Sequence, residues 1–224
     1  MKRLFYLLSI FLLISCGNSK NSPDFIKATE GRYLFNSDEA IDITFTDGIM
    51  KVKWRDQEMT PIKANDSSFY LKEMNEKLVF VSKPKMHIEL APKREHEGKK
   101  FSFSKLEEGQ KTPAEYFKNK EYDKALEGYL AIQKRDSLDR TIRERYLNSL
   151  GYNYLRENKL EEAKEVFKIN IALYPKSSNT YDSMGDAYRR EKDTVKALEY
   201  YRKAIAINPE NRSSKRQIER LTKN

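Results

Sequence analysis

The residue with the most distinctive chemistry is Cys16, the only cysteine among 224 residues. It follows Met1-Lys2-Arg3, an almost wholly apolar run from Leu4 to Ile14, and Ser15; Gly17 comes next. A basic start and an apolar stretch of about eleven residues fit a secretory signal. The run is shorter than the roughly 20 residues that span a bilayer. A lone thiol beside small residues, delivered to a membrane surface, is the chain's one thiol nucleophile there. One cysteine excludes an intramolecular disulfide framework and a Cys-based metal cluster. The remaining reactive residues do not assemble. His87 falls in strand sequence and His96 in a charged loop, so no metal centre is predicted. Ser82-Lys83-Pro84-Lys85 and Ser102-Phe103-Ser104-Lys105 have Ser-x-x-Lys spacing, a nucleophile motif that needs a helix start in a cleft. Both stretches read as strand or turn, and the Lys-Thr-Gly partner is missing because Pro113 follows Lys111-Thr112. There is no Gly-x-Ser-x-Gly elbow and no phosphate-cradling glycine loop. The residues predict no catalytic group, no cofactor and no metal: not an enzyme.

The charge reads differently by region. The chain has 43 Lys+Arg against 34 Asp+Glu, a net +9. Lys2 and Arg3 would leave with the signal. Residues 16–110 carry 16 basic and 16 acidic groups, and residues 111–224 carry 25 and 18. The excess is therefore confined to the C-terminal half. Much of it lies in Arg212, Lys215, Arg216, Arg220 and Lys223, which read first as the solvated face of a capping helix and second as a basic dock for anionic lipid or wall polymer. Export disfavours nucleic acid as a partner.

Two periodicities divide the rest. Asn18–Asp24 is polar and aperiodic, the core of a tether spanning residues 16–27. From about Glu30 the period is two. Ile41, Ile43 and Phe45 alternate with Asp42 and Thr44, Asp47-Gly48 makes a hairpin turn, and Met50, Val52 and Trp54 return. Further runs at Gly31–Phe35, Met59–Ala64, Ser68–Glu73, Lys77–Ser82, Met86–Leu90 and Lys99–Ser104 make about eight strands, an antiparallel meander or small barrel over residues 28–108.

After Leu106 the period is helical. Ala125, Tyr129 and Ile132 share one helix face, as do Leu147, Leu150, Gly151 and Tyr154. Leu147–Thr180 aligned on Tyr181–Ser214, a shift of 34, gives ten identities, among them Gly151/Gly185, Tyr154/Tyr188, Ala163/Ala197 and Pro175/Pro209. A fixed period of this length marks stacked helical hairpins. Thr112-Pro113 reads as N-cap and first helical residue, which leaves the first hairpin with a short first helix. Arg212–Thr222 reads as the closing cap. The predicted fold class is α+β: a small antiparallel β-domain followed by an all-α repeat solenoid over residues 109–224, about two and a half repeats.

Four resemblances follow from these residues. Leu13-Ile14-Ser15-Cys16 resembles the bacterial lipobox, in which the cysteine takes a diacylglycerol thioether and a peptidase removes residues 1–15. The 34-residue pattern resembles the tetratricopeptide signature: small Gly151 and Gly185, Tyr154 and Tyr188 beside them, Ala163 and Ala197 at the crossing, Phe167 and Tyr201 between repeats, Pro175 and Pro209 closing. Asn170 departs from it, standing where alanine is usual. The run Phe167–Pro175 with Ser178–Tyr188 is similar to repeats at the C-termini of secreted serine hydrolases of Bacteroidetes-type bacteria. A lipocalin-like β-domain often precedes those repeats; its Gly-x-Tyr strand and Asp-Gly hairpin match Gly31-Arg32-Tyr33 and Asp47-Gly48. The catalytic domain of those hydrolases has no counterpart here.

The resemblances imply a lipoprotein held to the cell membrane by lipid on Cys16, in the outer membrane of a Gram-negative bacterium and facing periplasm or surface. Its concave groove would hold a protein or peptide partner in the envelope. Counted along the signature, the groove-facing positions are Asn148, Tyr152 and Leu155, then Asp182, Asp186 and Arg189. The two-Asn arrangement that grips a C-terminal carboxylate is not met, because Tyr152 and Asp186 take the second Asn position. A non-catalytic adaptor is the leading expectation. An envelope carrier of a lipid or other apolar ligand in the β-domain is the alternative.

Overall fold

A computed structural model describes residues 20–223. Cys16 and the signal segment lie outside the described residues. The class is α+β, an antiparallel β region followed by a helical region. Two compact units divide it, and they do not meet at a single point in the sequence. One holds the described residues up to Gly31 together with Asp42–Ser102; the other holds Arg32–Ile41 with Phe103 onward. The division expected at residues 28–108 and 109–224 is thereby corrected, because one short hairpin belongs with the helices.

The first unit starts where a tether was expected. Ser22 accepts a hydrogen bond from the Phe25 amide and Pro23 opens helix α1, Pro23–Thr29. The Asn21 amide and side-chain Nδ2 both donate to the Gly48 carbonyl, at 2.8 and 3.1 Å. From Lys20 onward the chain is thus part of the fold. Phe25 stands in a stretch without a sequence period, but its ring lies 5.4–6.2 Å from those of Phe45, Phe69 and Phe80.

Strands β2 (Ala40–Thr46), β3 (Ile49–Trp54) and β4 (Gln57–Met59) follow one another, then β5 (Ile62–Lys63), β6 (Ser68–Leu71), β7 (Glu76–Val81) and β8 (His87–Leu90) form a second meander. The expected strand over residues 59–64 is split into β4 and β5 by Thr60-Pro61, since proline offers no amide to a ladder. The Asp47-Gly48 turn has φ of 53° and 79°, the left-handed pair its hairpin type needs. Alternation buries Met50 and Val52 on β3, Phe69 and Leu71 on β6, and Leu78 and Phe80 on β7. The register sets Val52 opposite Met59, Phe69 opposite Leu78 and Phe80 opposite Ile88. One face of each strand makes the core, as the period of two requires.

The second unit contains β1 (Gly31–Leu34) from Arg32 on, the turn after it, and the end of β9 (Ser102–Ser104). Eight more elements follow: α2 (Pro113–Lys118), α3 (Tyr122–Arg135), a 3-10 turn (Arg140–Ile142), α4 (Glu144–Arg156), α5 (Leu160–Leu173), α6 (Ser178–Glu191), α7 (Thr194–Ile207) and α8 (Arg212–Thr222). Thr112 and Glu115 form a reciprocal capping box at the start of α2. Lys120, Asn158 and Lys192 each hold a φ of 60–68° just after the first helix of a hairpin. A left-handed residue there ends one helix and turns the chain back for the next. Ala125, Tyr129, Ile132, Leu147, Val166, Ile169 and Leu173 form one continuous core. Asn170 is fully buried and donates from Nδ2 to the Glu144 carbonyl at 3.2 Å, so the departure from alanine ties α5 to the first turn of α4.

Candidate functional site

The inner face of the helical stack is set by how closely its hairpins close. A Cβ added at Gly151 would lie 2.3 Å from the Phe167 ring, and one at Gly185 would lie 2.6 Å from the Tyr201 ring. Only glycine admits those rings. That close approach packs α4 on α5 and α6 on α7. Three of the groove candidates, Tyr152, Asp186 and Arg189, meet as partners of one another. Tyr152 donates its hydroxyl to Asp186 Oδ2 at 2.7 Å, and Tyr201 donates to Asp186 Oδ1 at 2.8 Å. Arg189 donates to Asp186 Oδ1 and to the Tyr201 oxygen at 3.3–3.4 Å. Ser183 donates to Asn148 Oδ1 at 2.6 Å, joining α4 to α6, and Ser214 donates to Asp182 Oδ1 at 2.5 Å, joining α6 to α8.

Burial pushes the Tyr152 and Tyr201 phenols far up, and the Asp186 carboxylate beside them adds to the shift. Both stay protonated and keep donating. Burial also raises the Asp182 carboxyl, against the opposing hydrogen bond from Ser214. This polar floor is satisfied by its own members, which makes it a rigid inter-repeat lock. Leu155 does not line a groove: it is buried among Ala163, Phe167, Met184 and Ala187. Asp182 is buried as well and committed to Ser214. Both are corrections to the predicted set. The signature marks positions facing inward but not which of them the next helix covers.

Side chains beside the lock remain open. Arg145, Ser149 and Arg156 are exposed on α4 at helical spacing next to Asn148 and Tyr152, and Arg190 is exposed on α6. Arg189 is exposed beside it, so the open stripe is cationic. A separate cavity of about 390 Å³ lies in the same unit, floored by Leu34, Leu106, Pro113, Gly128 and Ala131, with Lys111 and Lys124 near Tyr116 at its rim. Those two lysines share Glu121, whose carboxyl they pull down to about 2.

The other sequence candidates stay apart. Ser82-Lys83-Pro84-Lys85 lies in the bend after β7, and Ser102–Ser104 is β9, so neither serine opens a helix. His87 pairs with Glu89 and His96 with Glu76, in separate places. Among the described residues no group of three or more His, Cys, Asp and Glu is arranged to hold a metal ion. No described helix is long and apolar enough to cross a membrane.

Residues 144–174 and 183–211 each match the tetratricopeptide repeat family. The chain carries tetratricopeptide repeats. A chloroplast protein of Arabidopsis thaliana, tetratricopeptide repeat domain-containing protein PYG7, is 33% identical over 82 residues, which is 37% of this chain and 27% of that protein. The chain thus spans about a quarter of that relative's length. Among solved structures, the first repeat domain of Spaghetti (RPAP3) bound to an HSP90 peptide is 19% identical, covering 50% of this chain and 85% of that one at a TM-score of 0.35. The Sgt2 repeat domain from Aspergillus fumigatus is 24% identical, covering 50% and 72% at the same TM-score. In tetratricopeptide terms, α4–α5 and α6–α7 are the two regular repeats and α8 the cap.

Proposed function

We propose that this chain is a lipid-anchored, non-catalytic adaptor of a bacterial envelope, whose repeats hold an acidic segment of a protein partner. The observation that carries the reading is the cationic stripe of Arg145, Arg156, Arg189 and Arg190 beside a polar floor that needs no ligand to be satisfied. A rigid floor lowers the ordering cost of binding, and a row of guanidinium groups favours carboxylates. Attachment by acyl chains on Cys16 rests on the signal-like start and the lipobox resemblance. The carrier alternative fits less well, because Phe25 and its three aromatic neighbours fill space in the β unit with the chain's own side chains.

The anchor is tested by feeding labelled palmitate to cells: label should enter the wild type and not Cys16→Ala, and equal labelling rejects it. The stripe is tested by Arg145→Glu with Arg190→Glu, both at exposed positions. Recovery of the crosslinked partner from envelopes should fall by about tenfold while the thermal midpoint holds. Unchanged recovery rejects this face.

A further inference from the structure

The cap helix α8 carries charge that the groove does not use. Its Ser214 is buried, Ile218 and Leu221 are half-buried, and Arg212, Lys215, Arg216, Arg220 and Lys223 are exposed. At 100° per residue, Arg212, Lys223, Arg216 and Arg220 fall within an arc of about 80°, turned away from Ser214 and Leu221. They follow one another along about 16 Å of helix. Lys215 reaches Glu210 at 4.0 Å, whereas the four on the arc have no ion-pair partner among the described residues. Glu219 is the one acid at the arc's edge. Exposed cations without an ion-pair partner among the described residues, on the open face of a helix, lack the recess that would define a single ligand. They match a plane of many anions.

We propose that the outer face of α8 is a peripheral contact for an anionic phospholipid surface. The charge arrangement alone carries this, whereas the acyl-anchor reading explains only why a bilayer would be near. Each cation close to such a surface adds about fivefold to partitioning. The experiment uses the full chain with Cys16→Ser, so that no acyl chain contributes. The protein is sedimented with phosphatidylcholine vesicles and with vesicles that also contain phosphatidylglycerol. Wild-type α8 should favour the anionic vesicles by more than about tenfold at low salt, and the preference should vanish at high salt. Arg212→Glu with Arg216→Glu and Arg220→Glu should remove it, and Arg216→Gln with Arg220→Gln should reduce it. The N-terminal apolar run is common to all variants and cancels. An unchanged circular dichroism spectrum and urea midpoint would show that the exposed substitutions leave the fold intact. The proposal is overturned if the triple variant keeps the preference, or if wild type shows none. Binding of polyglutamate but not of anionic vesicles would also overturn it, assigning the face to an acidic protein.

Discussion

In α4–α5 and α6–α7 a glycine of the first helix makes room for a ring of the second, Gly151 for Phe167 and Gly185 for Tyr201. In α2–α3 the roles are exchanged: Pro113 stands on the first helix and Gly128 on the second, where an added Cβ would lie 2.7 Å from the proline ring. Helix α2 has six residues against thirteen and fourteen in α4 and α6. The short hairpin from Arg32 to Ile41 supplies what α2 lacks. The Ala114 amide donates to the Ser37 carbonyl, the Ser37 amide donates to Thr141, and Tyr146 donates to Asp38 at 2.6 Å. Arg135 donates to the Leu34 and Phe35 carbonyls, and Arg32 forks onto Glu115. The regular repeats close through neighbours in sequence. The first repeat closes through residues about a hundred positions away, so it depends on a segment that no repeat signature contains.

The largest expected effect comes from cutting at the sequence-predicted boundary. A fragment of residues 109–224 lacks Arg32–Ile41 and should lose cooperative unfolding of α2–α3, read as early hydrogen exchange there while α6–α7 stays protected. Uniform protection would break the comparison. Next, Gly151→Ala should cost about 2–3 kcal/mol in urea unfolding, because Phe167 must move within a packed core. Arg135→Ala should cost about 2 kcal/mol by stripping two carbonyls of a partially buried donor. Arg135→Lys should recover little of it, since a single ammonium cannot span both.

The smallest effect concerns Glu115, whose carboxyl burial pushes up while Arg32 and the Thr112 amide outweigh it and hold it low. A folded-state value below the unfolded one adds stability above the unfolded value and loses it as pH falls through the folded one. The pair is part-exposed, so Glu115→Gln should cost about 0.5–1 kcal/mol at pH 7. The difference from wild type should close as pH falls through the lowered folded-state value, beneath the ordinary glutamate range. A pH-independent difference would assign the effect to packing.

The regular repeats were legible because a fixed 34-residue shift brings together residues that touch: Gly151 and Phe167 recur as Gly185 and Tyr201. The period of two placed most strands for the same reason, since alternation is local. Helix α1 escaped because seven residues are too few for a helical period, although Ser22-Pro23 is an N-cap signal. Splitting of the strand at Pro61 was readable from the missing amide. The candidate site was half legible. Counting along the signature found Tyr152, Asp186 and Arg189, which bond to one another, and Asn148, which Ser183 ties to α6, whereas Asp182 turns to Ser214 on α8. It could not show that Tyr201 and Ser214, from other helices, would claim their hydrogen bonds. Nor could it show that Ser37 and Asp38 complete the first repeat, for those contacts exist only once both partners are folded.

The adaptor account is tested most directly by a photocrosslinking residue placed at Ser149, on the open cationic side of α4, and separately at Val195, 79% exposed at the start of α7. Irradiated in the native envelope, Ser149 should give a discrete protein adduct that Arg145→Glu weakens, and Val195 should not. Equal adducts at both positions, or none at Ser149, would contradict it.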